Sequence, residues 1–263
     1  MTRVPITIGR AASSAHPVAN GLHRSRGNLL LFCSTAADVQ WPELNNFSNE
    51  IREDVALLLN AIAVESAVHW CASLGMHAVI HTTAASPMDG LMSLPDSIHL
   101  VAQQRLPLHK RFAEALRLAG EDRDGSATIL ILGNNPLYPI AALQQGVELL
   151  GQEDEVVVFG EGHQRGGVRC LMWVAMKSHH PEIVEHLEQP TEQELDFMRI
   201  IADTHGLVMV MKPVREIGGM NDLPYLLHEI ERALLLKQWY PPRTYELLLH
   251  LRGHGAISAE VNA

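Results

Sequence analysis

Short apolar runs and amphipathic stretches alternate along the chain. Residues 28–34 (NLLLFCS), 128–133 (TILILG) and 155–159 (EVVVF) are runs typical of strands buried on both faces of a sheet. Residues 49–74 carry apolar positions at helical spacing, and Gly75 follows where a helix-ending glycine belongs. The alternation continues along the chain and predicts a three-layer α/β fold, with a mostly parallel sheet and helices on both faces.

In such a sheet, ligands bind beyond the carboxyl ends of the strands, where the strand order reverses. The turns that leave Ser34, Gly133 and Phe159 are therefore the predicted ligand-binding positions. After Phe159, residues 160–167 are rich in glycine and predict a turn.

The length of 263 residues favours one α/β domain over residues 27–240. Residues 1–26 contain four arginines and no acid, and we interpret them as a flexible extension. A transit peptide, which is also rich in arginine and serine, is the alternative. Residues 241–263 are predicted to form a C-terminal helix and tail.

Composition excludes several classes of function. A net charge of −10 gives no basic surface for nucleic acid or anionic lipid. Three well-separated cysteines without a CxxC motif favour a reducing, cytoplasmic location over a disulfide framework or zinc site. The fifteen histidines form no HExxH motif, and we interpret them as scattered core and surface residues. No apolar run is expected to span a membrane or act as a secretion signal.

Four short motifs follow one another between Gln103 and Leu236. The first, at a helix start, comprises Gln103, Gln104, Arg105, Lys110, Arg111 and Phe112. The second, at a strand end, comprises Gly133, Asn134, Asn135 and Pro136. The third, in the glycine-rich segment, comprises Gly160, Arg165, Gly166, Gly167 and Val168. The fourth, opening a helix, comprises Glu216, Ile217, Gly218, Gly219, Asn221, Asp222 and Leu223.

In order and spacing these motifs resemble a bacterial family of glycosyltransferase-A-like proteins, often described as radical-SAM- or selenoprotein-domain-associated transferases. The resemblance covers about half of the chain. It implies a nucleotide-diphospho-sugar-transferase-like fold and a nucleotide or nucleotide sugar as ligand. In that family an aspartate at the strand end looks like a ligand for Mg²⁺ or Mn²⁺, which prefer oxygen donors.

The motif acids of the family are mostly replaced in this chain. Asn135 stands in the place of the strand-end aspartate, and an amide oxygen brings no charge to a metal ion. Arg165 takes the place of the second acid. The fourth motif keeps Glu216 but has Gly218 at its next acidic position, while Asp222 remains nearby. Asp222 also has a structural interpretation, because an acid in the first turn favours the helix dipole.

The family usually has a basic loop after the first strand, whose side chains are suited to phosphate binding. Here residues 35–49 contain no Lys or Arg. Arg165, with Gly166 and Gly167, is a candidate replacement for that phosphate contact. An equal alternative is that Arg165 is a solvent-exposed loop residue without this role. Trp41 lies in the loop where a nucleotide base is expected.

The sequence therefore predicts a transferase-like pseudoenzyme with a nucleotide-derived pocket and weak or lost catalysis. The candidate substrate-binding residues are Asn134, Asn135, Arg165, Gly166, Gly167 and Trp41. One alternative is an active sugar or nucleotidyl transferase, with Glu216 and Asp222 as catalytic residues and Mg²⁺ or Mn²⁺ as cofactor. The other is a non-enzymatic interaction protein on the same scaffold, with a protein partner or a second copy of itself.

Overall fold

The computed structural model describes residues 27–83, 94–121, 126–152, 156–164, 169–177, 180–188 and 208–257. The predicted N-terminal extension and the tail beyond residue 257 lie outside these residues. Seven strands are present in this part of the chain: β1 (Gly27–Phe32), β2 (His77–Thr82), β3 (Ile98–Ala102), β4 (Ala127–Ile131), β5 (Val157–His163), β6 (Arg169–Met176) and β7 (Val208–Arg215).

The strands form one sheet in the order β3-β2-β1-β4-β6-β5-β7. Only β6 runs antiparallel to its neighbours, β4 and β5, and the other described pairs are parallel. The predicted mostly parallel sheet is confirmed. From β1 the chain first proceeds outward through β2 and β3, then returns to β4 on the other side of β1. The strand order therefore reverses between β1 and β4.

The predicted turn at 160–167 is wrong over its first half, because β5 continues through His163. The glycines there make room for side chains of β6. A Cβ at Gly160 would lie 1.9 Å from Nε1 of Trp173, and one at Gly162 would lie 2.6 Å from Cγ of Met172. Glycine is therefore required by close packing inside the sheet and not by a turn.

Six helices and two 3-10 turns accompany the sheet in the described residues. The helices are α1 (Asn49–Leu74), α2 (Leu108–Glu121), α3 (Ile140–Leu150), α4 (Pro181–Glu188), α5 (Leu223–Leu235) and α6 (Pro242–Gly253), and the 3-10 turns are Pro42–Asn46 and Met220–Asp222. Helices α1 and α3 pack on one face of the sheet, and α2 and α4 pack on the other. Helices on both faces are thus confirmed.

Helix α1 has the bounds that its sequence predicts. The Ser48 hydroxyl accepts from the Ile51 N–H at 3.3 Å, and Gly75 adopts φ 66° at the C-terminal end. By length and composition α1 meets the criteria for a membrane span, which the sequence analysis overlooked. However, 78% of its apolar window is buried within the fold, as is typical of a core helix.

A second core lies around the N-terminal half of α1, which packs against α5 and α6. Its buried residues include Leu44, Val55, Leu58, Ile62, Ile217, Leu223, Leu227, Ile230, Leu248 and Leu251. The carboxylate of Glu65 holds the start of α6, accepting from the N–H groups of Arg243 (2.7 Å) and Thr244 (2.8 Å). The predicted C-terminal helix is therefore packed firmly onto α1.

Candidate functional site

Because the strand order reverses between β1 and β4, a ligand crevice is expected between the loops that leave these two strands. The loop after β1 is fixed from below by α1, because the buried amide of Asn60 accepts from the Ser34 N–H at 2.7 Å. The loop after β4 contains Asn134 and Asn135, the residues that the sequence analysis placed in the ligand pocket.

Asn135 is buried, and both ends of its amide bind backbone groups. Its Nδ2 donates to the Arg215 carbonyl at 2.7 Å, and its Oδ1 accepts from the Leu137 N–H at 2.9 Å. The first bond ties the end of β4 to the end of β7, and the second forms a tight turn within the loop. The amide therefore stabilises the backbone in the place where the family resemblance implied a metal ligand.

Two further backbone contacts fix the end of β7 beside this loop. The Ile217 N–H donates to the Asn134 carbonyl at 3.1 Å, and the Glu216 N–H donates to the His163 carbonyl at 3.0 Å. The half-buried carboxylate of Glu216 accepts from Nε2 of Gln164 at 2.9 Å. Glu216 thus lies close to the crevice, with one oxygen already hydrogen-bonded.

Asp222 is buried and paired with a residue that the sequence analysis missed. Its Oδ1 accepts from Nη2 and Nε of Arg215 at 2.9 and 3.2 Å, and its Oδ2 accepts from the Gly218 N–H at 3.1 Å. The Arg215 guanidinium also lies 4.4 Å from the centre of the Tyr225 ring. Arg215 largely neutralises Asp222, so this carboxylate offers little charge to a metal ion.

Carboxylates nevertheless surround the Gly218–Gly219 pair. A Cβ at Gly218 would lie 3.6 Å from Oε2 of Glu216 and 4.0 Å from Oδ2 of Asp222. A Cβ at Gly219 would lie 3.1 Å from Oε1 of Glu43, which also accepts from Asn221. Even so, within the described ranges no three His, Cys, Asp or Glu side chains are grouped so that they could hold a metal ion.

The fully buried guanidinium of Arg111 joins the carboxyl ends of β1, β2 and β3. Its Nη2 donates to the carbonyls of Cys33 (2.9 Å) and His81 (3.1 Å). Its Nε donates to the side-chain oxygen of Gln103 at 3.0 Å, and its Nη1 lies 3.7 Å from Oδ2 of Asp38. The two residues Gln103 and Arg111 of the first motif are thus direct partners. They position the β1 loop at one side of the crevice.

Asp38 connects the loops after β1 and β2. Its Oδ2 accepts from the N–H and hydroxyl of Thr35 and from the hydroxyl of Thr83, each at 2.9 Å. Burial alone would raise the pKa of Asp38, but these hydrogen bonds and the charge of Arg111 together hold it below its ordinary value. Asp38 is therefore charged at neutral pH. Its negative charge opposes the positive charge of Arg111, so this side of the crevice attracts phosphate less than Arg111 alone would.

His81 lies buried beneath the same loops and stacks on Phe32 with ring centres 5.1 Å apart. Burial, and then the charge of Arg111, lowers the pKa of His81 to about 4, so the ring is neutral at neutral pH. Within the described part of the chain, neither ring nitrogen has a hydrogen-bond partner. His81 is consequently a packing residue of this edge of the sheet.

The remaining predicted site residues are placed as follows. Trp41 is partly buried and packs against the second core. Arg165, Gly166 and Gly167 lie outside the described residues. The sequence analysis did not name Asp38 and Glu43, which follow β1, or Arg215, which ends β7. Asp38 was detectable as the single charge in the segment 35–42, whereas nothing in the local sequence marks the partners of Arg215 and Glu43.

Comparison with known proteins gives no family model and no curated protein that matches the sequence. Among solved structures, an inferred nucleotide-diphospho-sugar transferase from Desulfovibrio desulfuricans G20 matches with a TM-score of 0.59 and 18% identity, over 87% of this chain and 96% of that chain. A homologue of Mycobacterium tuberculosis Rv0371c from Mycobacterium sp. strain JC1 matches with a TM-score of 0.48 and 14% identity, over 80% of this chain and 99% of that chain.

CMP:2-keto-3-deoxy-manno-octonic acid synthetase, solved with CTP, matches with a TM-score of 0.42 and 9% identity, over 80% of this chain and 98% of that chain. At these identities the likeness concerns the fold, and the narrower radical-SAM-associated family stays a prediction. The strand order, the helices on both faces and the match to the Desulfovibrio protein together assign this chain to the nucleotide-diphospho-sugar transferase-like α/β fold.

Proposed function

We propose that the chain binds a nucleotide or nucleotide sugar in the crevice between the carboxyl ends of β1 and β4, without a divalent cation at the end of β4. Transfer chemistry that depends on such a cation is then weak or lost. The observation that carries this proposal is Asn135, whose amide is engaged at both ends by backbone groups of Arg215 and Leu137.

The charge distribution supports this proposal. Stabilising a diphosphate leaving group with Mg²⁺ or Mn²⁺ requires oxygen ligands that carry negative charge. At the end of β4 the side chain is a neutral amide, and Asp222 on the neighbouring segment is paired with Arg215. The described residues therefore do not fit a divalent cation at this position.

In the described part of the two loops, backbone groups and a few neutral side chains are available to bind a nucleotide, and Arg165, outside the described residues, stays a candidate phosphate contact. Residues 33–47 after β1 contain no cation, and Arg111 beneath them is already bound to carbonyls and faces Asp38. Backbone N–H groups remain as donors for phosphate oxygens. Such a site offers less positive charge to the phosphates than a site that holds a metal ion, so we expect moderate affinity for the nucleotide.

Isothermal titration with UDP-, GDP- and CDP-sugars, each with and without Mn²⁺, tests this proposal. We expect at least one of them to bind. Its Kd should change less than about threefold when Mn²⁺ is added, which corresponds to less than about 1 kcal/mol of binding free energy. Glu216→Gln should leave that Kd unchanged within the same limit. Tightening by Mn²⁺ of more than about tenfold, or metal-dependent turnover, would contradict the proposal.

A second candidate function is an active metal-dependent transferase that uses Glu216 and Asp222. The proximity of both carboxylates to Gly218 favours it. It predicts Mn²⁺-dependent turnover that Glu216→Gln abolishes, so the same titration series separates the two. If none of the nucleotide sugars binds, both candidate functions are contradicted and a non-enzymatic interaction protein is favoured.

A further inference from the structure

A cleft of about 520 Å³ opens between α1, the loop that follows β4 and the end of α5. This volume lies within the range of about 300–1,000 Å³ that is usual for small-molecule sites. None of its lining residues belongs to the loop after β1 or to the segment 215–222. The cleft shares the loop after β4 with the crevice proposed for the nucleotide, but its other lining residues come from α1, from the start of α3, and from α5 and the turn that follows it.

An aromatic pair forms one wall of this cleft. The rings of His69 and Trp239 lie parallel, with an interplanar angle of 3° and centres 3.7 Å apart. Burial lowers the pKa of His69, which keeps its ring neutral at neutral pH. Each ring covers one face of the other, so a planar aromatic ligand can contact this neutral pair at an outer ring face or along the ring edges.

The opposite wall is held in place by the loop after β4. Asn135 accepts from the N–H groups of Leu137 (2.9 Å, through Oδ1) and Tyr138 (3.2 Å, through its carbonyl). The Tyr138 ring packs edge-on against Trp173 in the core. This wall is formed before any ligand arrives, which lowers the entropic cost of binding.

A helix-ending turn positions the aromatic pair. Lys237 adopts φ 55°, and its N–H donates to the Leu234 carbonyl at 3.1 Å, while the Gln238 N–H donates to the Ala233 carbonyl at 2.9 Å. This is the hydrogen-bond pattern of a Schellman motif, in which glycine is the usual residue at the left-handed position. The turn brings Trp239 back against α1, so the second wall is preformed as well.

Among the described residues, two charged side chains line the cleft, Arg232 and Glu229, and the cation of this pair is a candidate anion contact. The Arg232 side chain is 64% exposed, and its Nη1 lies 3.6 Å from Oε2 of Glu229, which is longer than a hydrogen bond. A guanidinium in this state can bind a carboxylate or phosphate through two parallel hydrogen bonds.

We propose that this cleft binds a small planar aromatic molecule that carries an anionic group. The ring lies against the wall formed by His69 and Trp239, and the anion is bound by Arg232. The proposal depends on the cleft alone and does not require that the crevice binds a nucleotide.

Titration calorimetry of the full chain with indole-3-acetate tests this proposal, because this probe combines a planar ring with a carboxylate. We expect a Kd below about 1 mM, and binding at least about tenfold weaker for tryptamine, which has the ring without the anion, and for acetate. No detectable binding of indole-3-acetate up to about 10 mM would overturn the proposal.

Three variants locate the binding. Trp239→Leu and Arg232→Gln should each weaken the binding of indole-3-acetate by about tenfold or more, since each removes one of its two main contacts. Arg252→Gln, the matched control at an exposed arginine of α6, should leave it unchanged. Because Arg232 is on the surface, its variant keeps the fold, and an unchanged Kd in Arg232→Gln would overturn the proposal.

A second copy of the chain is the competing occupant, because Leu235 beside the cleft is 83% exposed. Sedimentation equilibrium over a hundredfold range of concentration detects it. We expect the weight-average mass either to stay at the monomer value when indole-3-acetate is added or to shift towards that value. A dimer that Leu235→Glu dissociates and that the probe leaves intact would show that the cleft is a self-interface, and would also overturn the proposal.

Discussion

Replacing Arg111 with methionine is expected to destabilise the fold by about 3–5 kcal/mol, because it removes one partner from a buried charged network. The guanidinium is fully buried and binds the carbonyls of Cys33 and His81 and the side chain of Gln103. Methionine fills a similar volume but leaves these acceptors without a donor. It also leaves Asp38 without its nearby cation.

Urea unfolding monitored by circular dichroism measures this effect. Arg117→Met on the same helix is the matched control, because Arg117 is 47% exposed and pairs with Glu188 at the surface. It should cost less than about 1 kcal/mol. Arg111→Lys should recover only part of the loss, since an ammonium cannot reproduce the planar set of donors. A loss below about 1 kcal/mol for Arg111→Met would contradict this role.

Glu65→Ala is expected to lower the free energy of unfolding by about 2–4 kcal/mol, because it leaves buried donors without an acceptor. Glu65 is 5% exposed, and its carboxylate accepts from the Arg243 N–H and from both the N–H and the hydroxyl of Thr244, at 2.7–2.8 Å. These donors lie at the positive end of α6, so the negative charge of Glu65 adds to the stabilisation.

The matched control for Glu65 is Glu246→Ala. Glu246 is 64% exposed and contacts Arg243 on the surface of α6, so its removal should cost less than about 1 kcal/mol. Amide hydrogen exchange should show faster exchange over residues 242–253 in Glu65→Ala and no change there in Glu246→Ala. Equal effects of the two substitutions would contradict the assignment of Glu65 as the anchor of α6.

The fold was predictable where local signals agree. In α1, the apolar spacing and Gly75 after the last turn indicate the same bounds, and the structure has them. The alternation of apolar runs and helices similarly predicted the mostly parallel sheet. Such features depend on residues within a few positions of one another, which a sequence shows directly.

The features that the sequence did not show depend on how separate segments of the chain pack together. Gly160 belongs to a strand because Trp173, on the neighbouring strand, lies against it. The helix-dipole interpretation of Asp222 did not include Arg215, because the ion pair forms only when the end of β7 folds back beside the start of α5. Arg111 was recognised as a motif residue, but its partners Cys33 and His81 are 78 and 30 positions away.

The metal-free nucleotide crevice is tested most directly by a crystal structure obtained after soaking with UDP and Mn²⁺, with anomalous data at the manganese edge. We expect nucleotide density against the loop after β1 and no anomalous peak within about 2.5 Å of Oδ1 of Asn135. A manganese ion coordinated by Asn135 and bridging the UDP phosphates would contradict it.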